Sequence, residues 1–164
     1  MAILLVLMIA ALVGADQLVK YWAVNELKPI GTKEFIHIGD FKIFDLTYLE
    51  NQGAIFGSMA GKRWFLVGFT SIVVLAGIVV LYKMRKRSKL LNVAIALFIA
   101  GGIGNLIDRI RLGYVVDMIE VDFMNFAVFN IADCFITCGA VALFVYILFF
   151  DKSGKKEKKN DPAA

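Results

Sequence analysis

Residues 64–82, W-F-L-V-G-F-T-S-I-V-V-L-A-G-I-V-V-L-Y, form nineteen consecutive positions without a charged side chain. A helix needs about 20 apolar residues to cross the hydrocarbon core of a bilayer. Three more apolar runs accompany this one: residues 2–15 and 90–107 are uncharged, and residues 131–150 carry one charge, Asp133. We therefore predict membrane-spanning helices at about 2–24, 64–82, 90–110 and 131–150.

The composition agrees with a membrane protein. The chain has 164 residues, of which 60% are hydrophobic, and its mean hydropathy is +0.75. A soluble domain is about 45–50% apolar on a count that also includes glycine. The predicted class is an all-α membrane protein, with residues 1–150 forming a single four-helix domain.

The positive charges predict the orientation of the chain in the membrane. Ten of the eighteen basic residues lie in the stretches 83–89 and 151–164, next to apolar runs. Lys and Arg in such positions mark the cytoplasmic side, which argues against a nucleic-acid-binding role. Both termini are then cytoplasmic, residues 25–63 and 111–130 lie outside, and the basic tail 151–164 is predicted to be disordered.

The first outer segment contains a different pattern. Residues 33–50 are rich in β-branched and aromatic side chains, which favours a small extracytoplasmic β-sheet. Residues 51–61 contain three glycines, and this composition is typical of a flexible loop. We predict a short sheet followed by a flexible outer loop.

Three features of the sequence bear on other functions or fates of the chain. The N-terminal run could be a cleavable secretory signal ending at residues 13–15, but no Lys or Arg precedes it. A channel needs polar residues through the full membrane depth, and the second apolar run offers only Thr70 and Ser71. Cys134 and Cys138 are four residues apart and are interpreted as small buried helix residues, because two thiols make at most half a zinc site.

Several carboxylates are predicted to lie at one level near the outer boundary. At 1.5 Å per residue, Asp16, Asp108 and Asp133 lie about 21, 27 and 26 Å from the cytoplasmic ends of their spans. Asp117 reaches the same level only if the chain turns back near Gly113. A carboxylate in a bilayer costs about 2.5–3.5 kcal/mol, so such residues point to function.

Two carboxylates close together can share one proton and perform acid–base catalysis. The pattern alone leaves the pairing open. Asp16 and Lys20 have the i, i+4 spacing of an ion pair on a helix. Asp108, followed by Arg109, is interpreted as structural, whereas Asp117 with Asp133 is the candidate catalytic pair.

Five segments carry a family resemblance. They are D-Q-L-V-K at 16–20, N-Q-G-A-I-F at 51–56, G-N-L-I-D-R at 104–109, V-V-D at 115–117 and F-N-I-A-D at 129–133. In this order they resemble the lipoprotein signal peptidase family, also called signal peptidase II, of bacterial intramembrane aspartyl proteases. The resemblance covers nearly the whole chain except the tail.

The resemblance implies a four-helix membrane bundle with a small extracytoplasmic sheet and a flexible outer loop. The acid–base chemistry of two aspartates requires no metal, and no cofactor is expected. The resemblance implies a catalytic dyad of Asp117 and Asp133. Substrate-binding residues would be Asn51, Gly53 and Arg109. Site-supporting residues would be Asp16, Lys20, Asn105, Asp108 and Asn130.

The same resemblance implies a substrate and a place of action. The substrate would be a prolipoprotein with a diacylglyceryl-modified cysteine, and the signal peptide would be cut off just before that cysteine, near the outer leaflet of the bacterial cytoplasmic membrane. Membrane lipids and peptide antibiotics of the globomycin type are the other expected partners.

The alternative is a non-catalytic membrane protein that binds lipid or lipopeptide at the outer leaflet. The residues do not indicate which aspartate carries the shared proton.

Overall fold

Four long helices dominate the computed structural model, which describes residues 2–39, 41–53 and 58–150. They are α1 (Ala2–Trp22), α2 (Arg63–Met84), α3 (Lys89–Arg111) and α4 (Ile131–Phe149). Each is long and apolar enough to cross a membrane, with α1 continuing through a π-helical turn at Ala23–Leu27. Residues 54–57 of the predicted flexible loop and the predicted disordered tail, 151–164, lie outside the described residues.

Helix α3 is the central element and packs against α1, α2 and α4. Glycines allow these helices to approach closely, as small residues do in membrane bundles. A Cβ atom added to Gly139 of α4 would lie 2.7 Å from the carbonyl oxygen of Ala94 in α3. The outward faces of the other helices carry exposed apolar side chains such as Ile72, Leu75 and Phe144, which suits contact with lipid.

A three-stranded antiparallel sheet lies at one end of the bundle. Its strands are β1 (Thr32–Ile38), β2 (Phe41–Asn51) and β3 (Val115–Val121), in the order β1-β2-β3. The all-α class is therefore not confirmed, because a sheet accompanies the helices. Strand β3 was not predicted; its Glu120 accepts a hydrogen bond from Thr47 of β2.

The break predicted near Gly113 is confirmed. Helix α3 ends at Arg111, and Gly113 has a φ of +91°, a left-handed conformation that a side chain disfavours. The chain reverses there and enters β3, which pairs with the end of β2 so that Leu49 lies opposite Asp117. The turn brings Asp117 back beside the helix that precedes it.

The start of α4 is held against the same strand. Phe129 forms backbone hydrogen bonds with Ile119 in both directions, with N–O distances of 2.8 and 3.0 Å. Below the strand, Val116 and Met118 pack on Ala23 and Leu27 of the π-helical turn, and all four side chains are buried. These contacts place β3, the end of α1 and the start of α4 side by side.

Candidate active site

Asn130 precedes the first residue of α4 and forms a capping box with Asp133. Its side-chain oxygen accepts from the backbone N–H of Asp133 at 3.0 Å, and its own backbone N–H donates to Asp133 Oδ2 at 3.2 Å. Such reciprocal bonds satisfy N–H groups that a helix start leaves without partners. The half-buried Asp133 carboxylate is thereby fixed in the first turn of α4.

Asp117 lies beside this cap and is bound by two amides. Its Oδ1 accepts from Asn130 Nδ2 at 2.6 Å, and its Oδ2 accepts from Asn51 Nδ2 at 2.9 Å. The residue is 1% exposed, and this burial raises the pKa of Asp117 to about 6, with the negative charge of Asp133 acting in the same direction. The amides of Asn51 and Asn130 and the charge of Lys20 oppose that rise.

Asn105 of α3 connects the two carboxylates to a third polar group. Its Nδ2 donates to Asp133 Oδ1 at 2.7 Å, while its Oδ1 accepts from Asn130 Nδ2 at 3.2 Å and from Lys20 Nζ at 2.9 Å. An ammonium group can only donate, so Lys20 determines which way this amide points. Its nitrogen consequently faces Asp133.

Lys20 is the centre of a buried ion network. Its Nζ lies 3.1 Å from Asp16 Oδ2 and 2.9 Å from Asp108 Oδ2, and all three side chains are nearly inaccessible to solvent. The ion pair predicted between Asp16 and Lys20 is confirmed. Asp16 also accepts from the backbone N–H of Ala132 at 3.1 Å, and Asp108 accepts from that of Val116 at 3.2 Å. The network therefore connects α1, α3, β3 and α4.

Arg109 and Gly53 form the remaining part of the predicted set. Arg109 Nη2 donates to the carbonyl oxygen of Gly53 at 2.8 Å, and the Gly53 N–H donates to Asn51 Oδ1 at 3.0 Å. Asn51 thus contacts Asp117 with its nitrogen and Gly53 with its oxygen. All ten residues named from the sequence lie in connected contacts around Asp117 and Asp133, and their individual roles stay predictions.

Two residues of this region were not assigned roles from the sequence. Gln17 Nε2 donates to Asp108 Oδ1 at 3.0 Å and to the carbonyl oxygen of Gly104 at 3.3 Å. Gln17 follows Asp16 directly in an otherwise apolar run, and this position could have indicated a buried hydrogen-bonding role. Arg63 donates to the carbonyl oxygens of Arg109 and Ile110, both at 2.7 Å.

The arrangement leaves acceptor capacity on both carboxylates. Each oxygen of Asp117 and Asp133 accepts one of the four hydrogen bonds described above, and a carboxylate oxygen can accept two. A water molecule can therefore donate a hydrogen bond to either carboxylate. Among residues 2–39, 41–53 and 58–150, no group of three or more His, Cys, Asp or Glu side chains is placed to hold a metal ion.

Comparison with known families bears directly on this site. A family model described as signal peptidase (SPase) II matches residues 8–149, which include every residue of the candidate active site. The chain belongs to the signal peptidase II family. This confirms the resemblance inferred from the five sequence segments and makes the protein a peptidase of an aspartic peptidase family.

Individual relatives in the signal peptidase II family are similar over nearly their full length. The lipoprotein signal peptidase of Enterococcus faecalis is 42% identical over 149 residues, covering 91% of this chain and 90% of the relative. That of Clostridioides difficile is 40% identical over 154 residues, covering 93% of this chain and 99% of the relative.

Solved structures agree with the fold. A bacterial membrane enzyme determined by the in meso method at 2.3 Å resolution superposes with a TM-score of 0.76 and 30% identity, covering 98% of this chain and 93% of the other. A second, at 1.9 Å resolution, gives a TM-score of 0.72 and 31% identity, covering 90% of this chain and 94% of the other. Together with the four apolar helices, this makes the signal peptidase II chain a multi-pass membrane protein.

Proposed function

We propose that this member of the signal peptidase II family removes signal peptides from diacylglyceryl-modified prolipoproteins, cutting just before the lipidated cysteine. The name of its relatives, lipoprotein signal peptidase, supports the substrate class. The observation that carries the mechanism is the bridging of Asp117 and Asp133 by Asn130, which contacts both carboxylates at once.

Asp117 and Asp133 share one proton in this mechanism. Asp117 is the more buried of the two, and its raised pKa favours the protonated form on that side. Asp133 lies in the first turn of α4, where a helix N-terminus attracts negative charge, and it is accessible enough to meet water. We assign the proton to Asp117, with the apparent titration belonging to the pair.

The reaction then proceeds by general acid–base catalysis. Asp133 accepts a proton from a bound water molecule as the water oxygen attacks the scissile carbonyl carbon. Asp117 donates a hydrogen bond and then its proton to the carbonyl oxygen, giving a neutral tetrahedral diol. Collapse of the diol returns that proton to Asp117 and breaks the C–N bond, while the proton held by Asp133 passes to the leaving nitrogen.

The neighbouring residues bind the substrate chain around the dyad. Asn51 is the last residue of β2, and Gly53 lies two residues beyond it, where the polypeptide leaves the sheet next to Asp117. The guanidinium of Arg109 has five N–H donors; Nη2 donates to Gly53 at 2.8 Å and Nη1 to the carbonyl oxygen of Asn105 at 3.5 Å, so the remaining N–H groups can bind substrate carbonyls. We propose these three residues as the substrate-binding set and the same site as the target of globomycin-type peptides.

The site lies near the outer leaflet in this proposal. The basic residues 83–89 extend from the last turn of α2 to the first residue of α3, whereas Asn105 and Arg109 lie near the other end of α3. Tyr146 near the end of α4 packs with Leu91, so α4 runs back toward the basic turn. Because Lys and Arg mark the cytoplasmic side, both termini are cytoplasmic and the dyad is outside. The lipid chains of a substrate then remain in the membrane while its peptide bond meets water.

The proposal is tested with purified protein and a diacylglyceryl-modified precursor. We expect cleavage of that precursor before the modified cysteine, seen by mass spectrometry, and no cleavage of the unlipidated form. Asp117→Asn and Asp133→Asn should each abolish cleavage, and Glu26→Gln, which neutralises an exposed carboxylate elsewhere, should not. Normal turnover by either aspartate variant would contradict the dyad.

The alternative, a non-catalytic binder of lipid or lipopeptide, predicts a different result. In this alternative the precursor binds without being cut. Neutralising either aspartate could then change only the affinity for the precursor. Intact precursor recovered after incubation with the wild-type protein would favour this alternative.

A further inference from the structure

The polypeptide between β2 and α2 is attached at both ends to the last turn of α3. At its start, the carbonyl oxygen of Gly53 accepts from Arg109 Nη2 at 2.8 Å. At its end, Arg63 Nε donates to the carbonyl oxygen of Arg109, and Arg63 Nη2 donates to that of Ile110, both at 2.7 Å. Arg109 therefore holds one end with its side chain and is itself held through its backbone by the other end.

The placement of Arg63 is explained by α3 rather than by its own helix. Arg63 is the first residue of α2, where a positive charge is unfavourable to the helix dipole, and the preceding Lys62 provides no side-chain cap. The last carbonyl groups of α3 have no partner within that helix. A cation that donates to two of them is favourable at that end, so Arg63 stabilises the terminus of α3.

The guanidinium of Arg63 also covers the turn that leads to the dyad. A Cβ atom added to Gly113 would lie 3.4 Å from Arg63 Nη1, so the two groups are in contact distance. On its other side, the guanidinium carbon lies 4.9 Å from the centre of the Trp64 ring, a cation–π arrangement. Arg63 is thus held between an aromatic ring and the turn from α3 into β3.

We propose that Arg63 is a positioning residue for Arg109, acting through the Arg109 carbonyl to aim that guanidinium at the substrate. The inference rests on the proposed function, in which Arg109 binds substrate. Asp117 has its own amide partners, Asn51 and Asn130, and is less dependent on Arg63. Loss of Arg63 should therefore weaken substrate binding more than it slows the chemical step.

The experiment compares Arg63→Ala with Arg85→Ala in cleavage of the lipidated precursor. Arg85 is a matched control near the other end of α2: its Nη1 donates to the carbonyl oxygen of Tyr82 at 2.7 Å, and it lies 4.1 Å from the Tyr82 ring centre. We expect Arg63→Ala to raise KM about tenfold, with kcat changed less than about threefold. Arg85→Ala should leave both constants near those of the wild type.

A double variant separates positioning from general stabilisation. If Arg63 acts through Arg109, then adding Arg63→Ala to Arg109→Ala should change KM by less than about twofold. Multiplicative effects of the two substitutions would overturn the proposal. Arg63→Lys retains a donor and a positive charge. On a logarithmic scale, its KM should lie at least halfway back from the Arg63→Ala value to the wild-type value.

The outcomes distinguish this inference from the proposed function. If the wild-type protein does not cut the lipidated precursor, the proposed function fails. If the wild type cuts and folded Arg63→Ala has a normal KM, the inference alone is wrong. If Arg63→Ala does not fold, KM and the thermal unfolding midpoint are measured for Arg63→Gln and Arg63→Lys instead. A normal KM in folded Arg63→Gln overturns the inference. A raised KM in Arg63→Gln with an unchanged midpoint supports it.

Discussion

Replacing Lys20 by methionine removes one charge from the centre of the buried network. Lys20 is 3% exposed, and its ammonium lies 3.1 Å from Asp16, 2.9 Å from Asp108 and 2.9 Å from the Asn105 amide oxygen. Methionine occupies a similar length without a positive charge. Breaking a buried ion pair by removing one partner costs about 3–5 kcal/mol, because the other charge remains buried without compensation. We expect a loss of this size in the free energy of unfolding.

The measurement is thermal unfolding in detergent, followed in parallel for Lys20→Met and Lys28→Met. At roughly 2–4 °C per kcal/mol, the first variant should unfold about 6–20 °C below the wild type. Lys28 forms a shorter ion pair, 2.7 Å from Glu50, but in an exposed setting, so its loss should shift the midpoint little. Equal shifts in the two variants would refute the reasoning, because burial would then have no effect.

Asp117, Gly139 and Gly113 each provide a further test. The pKa of Asp117 is raised from 3.8 to about 6, so its ionisation destabilises the fold by about 3 kcal/mol as pH rises from about 4 through 6. Because the proposed mechanism needs protonated Asp117, kcat/KM should fall as pH rises through about 6. A rate that does not depend on pH between about 5 and 8 would contradict this. Gly139→Ala should cost about 1–3 kcal/mol by pushing a methyl group to within 2.7 Å of the Ala94 carbonyl, whereas Gly68→Ala, with nothing within 4 Å, should not lower the unfolding midpoint in detergent. Gly113→Ala should cost about 1–2 kcal/mol in the same assay because its φ is +91°, and an unchanged midpoint would show that the turn relaxes.

The helices could be predicted from sequence because membrane insertion follows a local rule, the length of an apolar run. Strand β3 could not, since V-V-D-M-I-E-V is buried at its first four positions and lacks the alternation that marks a half-exposed strand. Its partner in β2 is far away in the chain: Leu49 pairs with Asp117. The two aspartates were found from the cost of their charges and from a family resemblance. Arg63 was missed because its partners are backbone carbonyls on another helix, which no side-chain pattern reveals.

The polar residues around the dyad also terminate the secondary structures that carry it. Asn130 caps α4 and binds Asp117, and Asp16 satisfies a further N–H of α4, at Ala132, while binding Lys20. Near a membrane boundary, helix ends need such partners, because unsatisfied backbone groups are costly where water is scarce. Substitutions of Asn130 therefore remove a helix cap and a contact to the dyad together. Stability and activity should fall together for Asn130 variants, whereas aspartate-to-asparagine changes at the dyad remove the titrating group and preserve most of the shape.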